Sequence, residues 1–261
     1  MNPRSRIHLS PFVSLSLTTL AYALSGAVVG LSAFPSALLL RWAARELLAP
    51  AGTGRLLLFC VLAGAGLYLF FVAGVLVTGI LLRCVSTAIR PGMHRLLSVT
   101  GMWWMGMNGL QTIATRLLLR AVPGGWLPHL YYRLAGCRMG RDVWIIGAVI
   151  IDPHLVSIGD GTVIGGEAVI SPHLASGASV YFGPITIGHD CRIGAHSVIC
   201  AGTVIGDGAT VGIHAYLRKG TRVPAGGHVA APGALQPRDA LALEQGTRTR
   251  GPAREKRPFR P

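Results

Sequence analysis

His173 is the residue best placed in this sequence to do chemistry. It stands in a stretch, Ser171 to Thr186, that interrupts an otherwise regular six-residue repeat. Imidazole titrates near neutrality, so a histidine carried on a loop beside a rigid framework suits the removal of a proton from a hydroxyl or an amine. Such a base gains from a carboxylate that accepts its other ring proton. Asp152 and Glu167 both lie in coils near the loop, and the sequence does not choose between them. His154, His189, His196 and His214 fall where exposed corners of the repeat are expected. No histidine or carboxylate pair recurs at ligand spacing, so no metal centre is expected. Arg218, Lys219 and Arg222 form a local positive cluster suited to phosphate groups. The glycines belong to the repeat. They fit neither a Walker nor a dinucleotide fingerprint.

The elements that must position these residues begin with the repeat itself. From Ile187 in steps of six come Ile193, Ile199, Ile205, Val211 and Leu217, all aliphatic. The fifth place of each hexad is small: Cys191, Ser197, Thr203, Ala209, Ala215 and Thr221. An earlier block reads Met139, Ile145, Ile151 and, after a one-residue slip, Ile158, Ile164, Ile170. This period is the signature of a parallel β-helix built from hexapeptides, three to a triangular coil. The aliphatic residue points inward and stacks on its neighbours in adjacent coils, and the small residue shares the narrow interior. A run of β-hairpins would show period two instead.

Upstream the texture is apolar. The 261-residue chain is 51% hydrophobic and only 13% charged, with a mean hydropathy of +0.52. Phe12–Leu40 and Leu56–Leu82 carry no charge, and each exceeds the roughly 20 residues that cross a hydrocarbon core. The net charge is +14, and residues 1–141 hold thirteen arginines against one acid, Glu46. Arginines flanking long apolar runs fit a membrane protein near anionic headgroups, and no nucleic-acid module accompanies them. Arg4 and Arg6 before the first span, with Arg83, Arg90 and Arg95 after the second, place both outer ends in the cytoplasm. Residues 93–138 read as an interfacial helix, anchored by Trp103 and Trp104, and a connector. A third span is the other reading of that stretch. Five scattered cysteines without a C-x-x-C pair exclude a disulfide scaffold and suit a reducing compartment. The sequence thus divides into an anchor over 1–92, a connector over 93–138, a β-helix over 139–234 and a basic, disordered tail over 235–261.

Three stretches carry a family resemblance: Phe182-Gly-Pro-Ile-Thr-Ile-Gly188, Arg192-Ile-Gly194 and Ala201-Gly-Thr-Val-Ile-Gly-Asp207. With Leu217-Arg-Lys219, Val223-Pro224 and Ala230-Ala-Pro-Gly-Ala234 they resemble the hexapeptide-repeat acyltransferase superfamily, towards its maltose/galactoside acetyltransferase end. The resemblance implies a left-handed parallel β-helix and an acyltransferase. His173 then holds the place of the catalytic histidine. Ala195, Ile213, Arg218 and Lys219, with Arg222 near, match positions that contact an acyl-CoA co-substrate. The same resemblance implies a homotrimer with active sites between protomers.

From about residue 90 the chain is similar to the membrane-bound C-terminal domain of poly-lysine-synthetase-like peptide synthetases. The carriers are Pro91-Gly-Met-His94, Trp103–Trp104, Leu130 to Asp142 and Asp152-Pro-His-Leu-Val-Ser-Ile-Gly-Asp160. That likeness implies amide formation from carrier-bound aminoacyl thioesters as an alternative. Two departures stand out. Pro172 precedes His173 and Leu174 follows it, where the acetyltransferases have His-Pro, and the loop is short. The acceptor is therefore unassigned. The reading is a membrane α-helical anchor plus an all-β domain, with the catalytic domain on the cytoplasmic face of the inner membrane. A non-catalytic scaffold is the competing class, since a solenoid can be structural alone.

Overall fold

The computed structural model describes residues 11–48, 52–122 and 124–231. Arg4, Arg6 and the expected basic tail over 235–261 lie outside the described residues.

Two long helices open the chain, α1 (Pro11–Leu47) and α2 (Thr53–Ser86). Within them, Tyr22–Leu47 and Thr53–Ser86 are long and apolar enough to cross a membrane. Their large side chains mostly face outward; Tyr22, Leu31, Leu57 and Leu67 are exposed. The two helices touch where side chains are small. Ser36 donates to the Gly66 carbonyl at 2.7 Å, and Gly66 lies against Leu40. Lacking a Cβ, glycine lets apolar helices come close.

The second half of α2 buries a different stripe: Gly74, Val75, Thr78, Gly79, Leu82 and Ser86. This 3–4 spacing is one face of a helix. It packs on α3 (Val99–Ile113), on the π-helical turn Ala114–Leu119 and on α4 (Trp126–Leu134). A Cβ at Gly79 would come within 2.9 Å of Leu134 Cβ, so the approach is closer than alanine allows. Ser98 caps α3 by accepting from the Gly101 N–H. On α3 and the turn after it, Trp104, Met107, Gln111, Ala114 and Leu118 form one buried stripe. Trp104 turns inward while Trp103 faces out.

Short parallel strands from Arg138 to Val229 form three sheets of five, five and four strands. Stacked, they make a left-handed parallel β-helix. Ile187 sits between Ile158 and Ile205, and Ile199 between Ile170 and Leu217. These residues, with Ile193, Val211 and Val223, fill the interior. Cys191, Ser197, Thr203 and Ala209 are wholly buried beside them. The six-step pattern over 187–223 is therefore the core itself.

The first coil departs from the expected phase. Ile150, not Ile151, is the buried residue that pairs with Ile170. The step from Ile145 to Ile150 is one residue short: the residue that turns the corner at positive φ, Gly147, comes two places after Ile145, whereas Glu167 comes three places after Ile164. The chain recovers its phase through a 3₁₀ turn at Pro153–Leu155. The interruption at Ser171–Thr186 is likewise no open loop. Strands His173–Ser176 and Ser179–Phe182 form an antiparallel hairpin, and Gly92–Arg95 pairs with the second of them.

Candidate functional site

The third corner of each coil decides where the site forms. In later coils that corner is turned by glycine at positive φ, Gly202 and Gly220. In the first coil Asp152 turns it, at φ 45. This left-handed region favours glycine but admits Asp and Asn better than most residues. In the second coil the chain leaves the helix at the same corner and forms the hairpin. Because Ile150 stacks on Ile170, residue 152 lies one coil below the point where the hairpin departs. Adjacent coils thus bring Asp152 and His173 together across a gap of 21 residues in sequence.

His173 Nδ1 lies 2.6 Å from Asp152 Oδ2. The carboxylate is fully buried, while the histidine side chain keeps 18% of its surface exposed. A carboxylate can only accept, so Nδ1 carries the proton and Nε2 is left as the basic nitrogen. Glu167 does not share this place. It turns a different corner at φ 55 and is exposed.

Helix α3 meets the same carboxylate from outside the coils. Trp104 Nε1 donates to Asp152 Oδ1 at 3.2 Å. Gln111 Oε1 accepts from the Asp152 N–H at 3.2 Å, and Gln111 Nε2 donates to the Ile150 carbonyl at 2.6 Å. The indole also stands edge-on to the His173 ring, with centroids 4.8 Å apart, and to Phe182 at 5.7 Å. Tyr132 of α4 adds a further tie, donating to Ala148 O and accepting from the Ile150 N–H. The sequence reading missed Trp104, Gln111 and Phe182 as neighbours of the site. For the first two, the signal was the i, i+7 spacing of residues able to bond a buried corner.

The remaining candidates fall on three separate places. Ala195 and Ile213 lie on successive coils at one corner, where the backbone at Ile213 closely approaches Gly194. Arg218 and Lys219 turn the next corner and are exposed. There Lys219 Nζ sits 3.4 Å from the centre of the Tyr181 ring on the hairpin, a cation–π contact. Arg222 is exposed on the strand that follows, where it pairs with Val204. Hence Lys219 is brought to the hairpin of His173. His196 and His214 occupy left-handed corners, their rings stacked 4.9 Å apart. His154 is mostly buried, and neither ring nitrogen has a hydrogen-bond partner.

Residues 184–213 match the family model described as the hexapeptide repeat of succinyl-transferase. The β-helix is a hexapeptide-repeat domain. A delta-poly-L-ornithine synthetase of Acinetobacter baumannii (strain AB307-0294) is 26% identical over 144 residues. That match covers 55% of this chain and 11% of the relative, so the chain spans a small part of that protein's length. Among solved structures, a hexapeptide-repeat acetyltransferase from Vibrio cholerae aligns over 53% of this chain and 90% of its own. Its identity is 16% and its TM-score 0.39. An N-acyltransferase from Bacillus cereus, crystallised with dTDP and coenzyme A, aligns over 48% and 96%. Here the identity is 17% and the TM-score 0.25.

Proposed function

We propose that this chain is a membrane-anchored acyltransferase in which His173, oriented by Asp152, is the general base. The observation that carries the reading is the 2.6 Å contact from His173 Nδ1 to a fully buried carboxylate. It fixes the tautomer and leaves Nε2 to work on a substrate. An acceptor hydroxyl or amine attacks the thioester carbonyl carbon as Nε2 takes its proton. The carbon–sulfur bond then breaks, and the proton passes to the departing thiolate. Neither a metal nor a tightly bound cofactor enters these steps.

Acyl-CoA is the donor we favour. Arg218, Lys219 and Arg222 offer charge for its phosphates, and Ala195 and Ile213 offer a small and an apolar surface at the neighbouring corner. In this reading the molecule is a homotrimer, with the donor lying between hexapeptide-repeat domains. The helices α1 and α2 cross the inner membrane, and the arginines flanking them hold the catalytic domain in the cytoplasm. The acceptor is then lipid-linked or met at the membrane surface. The ornithine-polymer synthetase named above supports a second reading, in which the acceptor is an amine and the donor an aminoacyl thioester on a carrier.

Release of free thiol from acyl-CoA by the full chain in detergent, with pooled hydroxyl and amine acceptors, tests the first reading. An aminoacyl thioester in a parallel reaction tests the second. Neither turnover nor binding of any thioester would leave a scaffold.

A further inference from the structure

The pair His173–Asp152 is not completed by the coils that carry it. A buried carboxylate has two oxygens to satisfy, and His173 takes only Oδ2. Among the described residues, the donor to Oδ1 is Trp104. Left without it, Oδ1 would be a buried charged acceptor with no partner, which is costly, and the carboxylate could rotate away from His173. An indole N–H can donate but not accept, so this contact fixes the carboxylate in one sense.

The backbone of the same residue is gripped as well. Asp152 holds φ 45 without being glycine. Gln111 accepts from its N–H and donates to Ile150 O, bracketing the corner on both sides. Trp104 and Gln111 are seven residues apart, two turns along one face of α3. The helix therefore holds the side chain at one point and the main chain at two others. The edge-on packing of the indole on His173 further limits rotation of the imidazole.

We propose that Trp104, supported by Gln111, is a positioning residue for the His173–Asp152 pair, so that a helix outside the hexapeptide-repeat domain sets the geometry of the base. The inference rests on the acyltransferase reading, and it adds to that reading where the order of the base comes from.

Trp104→Phe keeps an aromatic ring and removes the N–H. In the full chain it lowers kcat by about 10- to 100-fold, the range for losing a hydrogen bond to a charged group. The KM for the thioester stays unchanged. In an Asp152→Asn background the same substitution has little further effect, because Trp104 acts through that carboxylate. A wild-type kcat for Trp104→Phe, or effects that multiply in the double variant, overturns the proposal. Should Trp104→Phe fail to fold, Gln111→Met takes its place with the same two criteria. A second readout does not depend on turnover. The indole N–H resonance of Trp104, assigned by its loss in Trp104→Phe, shifts on Asp152→Asn in ¹⁵N-labelled protein. An unmoved resonance overturns the contact even if no substrate is ever turned over.

Discussion

The described residues contain two His–Asp pairs, and they differ in every respect that matters to chemistry. His189 and Asp160 meet at an exposed corner, with Nδ1 and Oδ2 3.7 Å apart and both side chains more than half exposed. There Nδ1 accepts from the Asp160 N–H at 3.0 Å. Its proton therefore sits on Nε2, the tautomer opposite to that of His173. Asp160 is occupied elsewhere, accepting from the Arg141 N–H, and Asp207 accepts from His189 N in turn. This is a ladder of side chains capping the backbone of adjacent coils. The pair at His173 has a buried acid and a donor, Trp104, from a separate helix. Residue type and coil adjacency are shared, so what separates the two pairs is desolvation and an outside clamp.

The largest expected effect breaks the comparison directly. His173→Ala lowers thioester turnover by about 10²- to 10⁴-fold, the usual contribution of a general base. It also lowers the melting temperature, since it leaves Oδ2 of the fully buried Asp152 without its partner, so turnover is compared at a temperature where both proteins stay folded. His189→Ala leaves turnover unchanged in the same assay. A comparable loss in both variants would make the tautomer argument untenable.

Breaking the shared scaffold comes next. Ile199 is fully buried between Ile170 and Leu217. Ile199→Ala should cost about 2–5 kcal/mol of stability, measured by denaturant unfolding. In a stack where each coil touches only its neighbours, both pairs should loosen together.

The smallest effect concerns a histidine that belongs to neither pair. Burial lowers the pKa of His154; Asp152 opposes the shift and Arg83 adds to it. The unfolded chain then binds more protons than the folded one as the solution turns acid. Stability is therefore full above about pH 6.5 and is lost as pH falls from there towards the lowered folded value. His154→Leu removes this sensitivity and two unpartnered ring nitrogens. Between about pH 7.5 and about pH 5.5, the melting temperature of wild type should fall further than that of the variant, by roughly 2–4 °C. Equal falls would show that protonation of His154 does not limit acid stability.

The coils from Ile187 onward were legible because each interior place repeats the same physical demand, an aliphatic residue with a small one four places on. The first coil was misphased at Ile151 because its short turn at Gly147 and the 3₁₀ turn after Asp152 nearly cancel in length. The break at Ser171 was visible as a break. Its hairpin was not, since half of its pairing comes from Gly92–Arg95, far off in sequence. His173 could be singled out as a residue that interrupts a pattern. Its acid could not, because Asp152 and Glu167 are both near in sequence and only the stacking of Ile150 on Ile170 separates them. Trp104 read as half of an aromatic anchor, yet only Trp103 stays exposed. Helical spacing says which residues share a face, not what that face meets.

The strand Gly92–Arg95 has a consequence for the order in which the molecule is made. Coils pair with neighbours close behind them, as Val198 does with Tyr216, so they can stack as they leave the ribosome. The hairpin carrying His173 must instead find a strand synthesised before the whole first coil, and closing so long a segment carries a larger entropic cost. The solenoid can therefore stack through local contacts, while the corner that carries His173 is completed only when the long segment between Gly92 and Phe182 has closed.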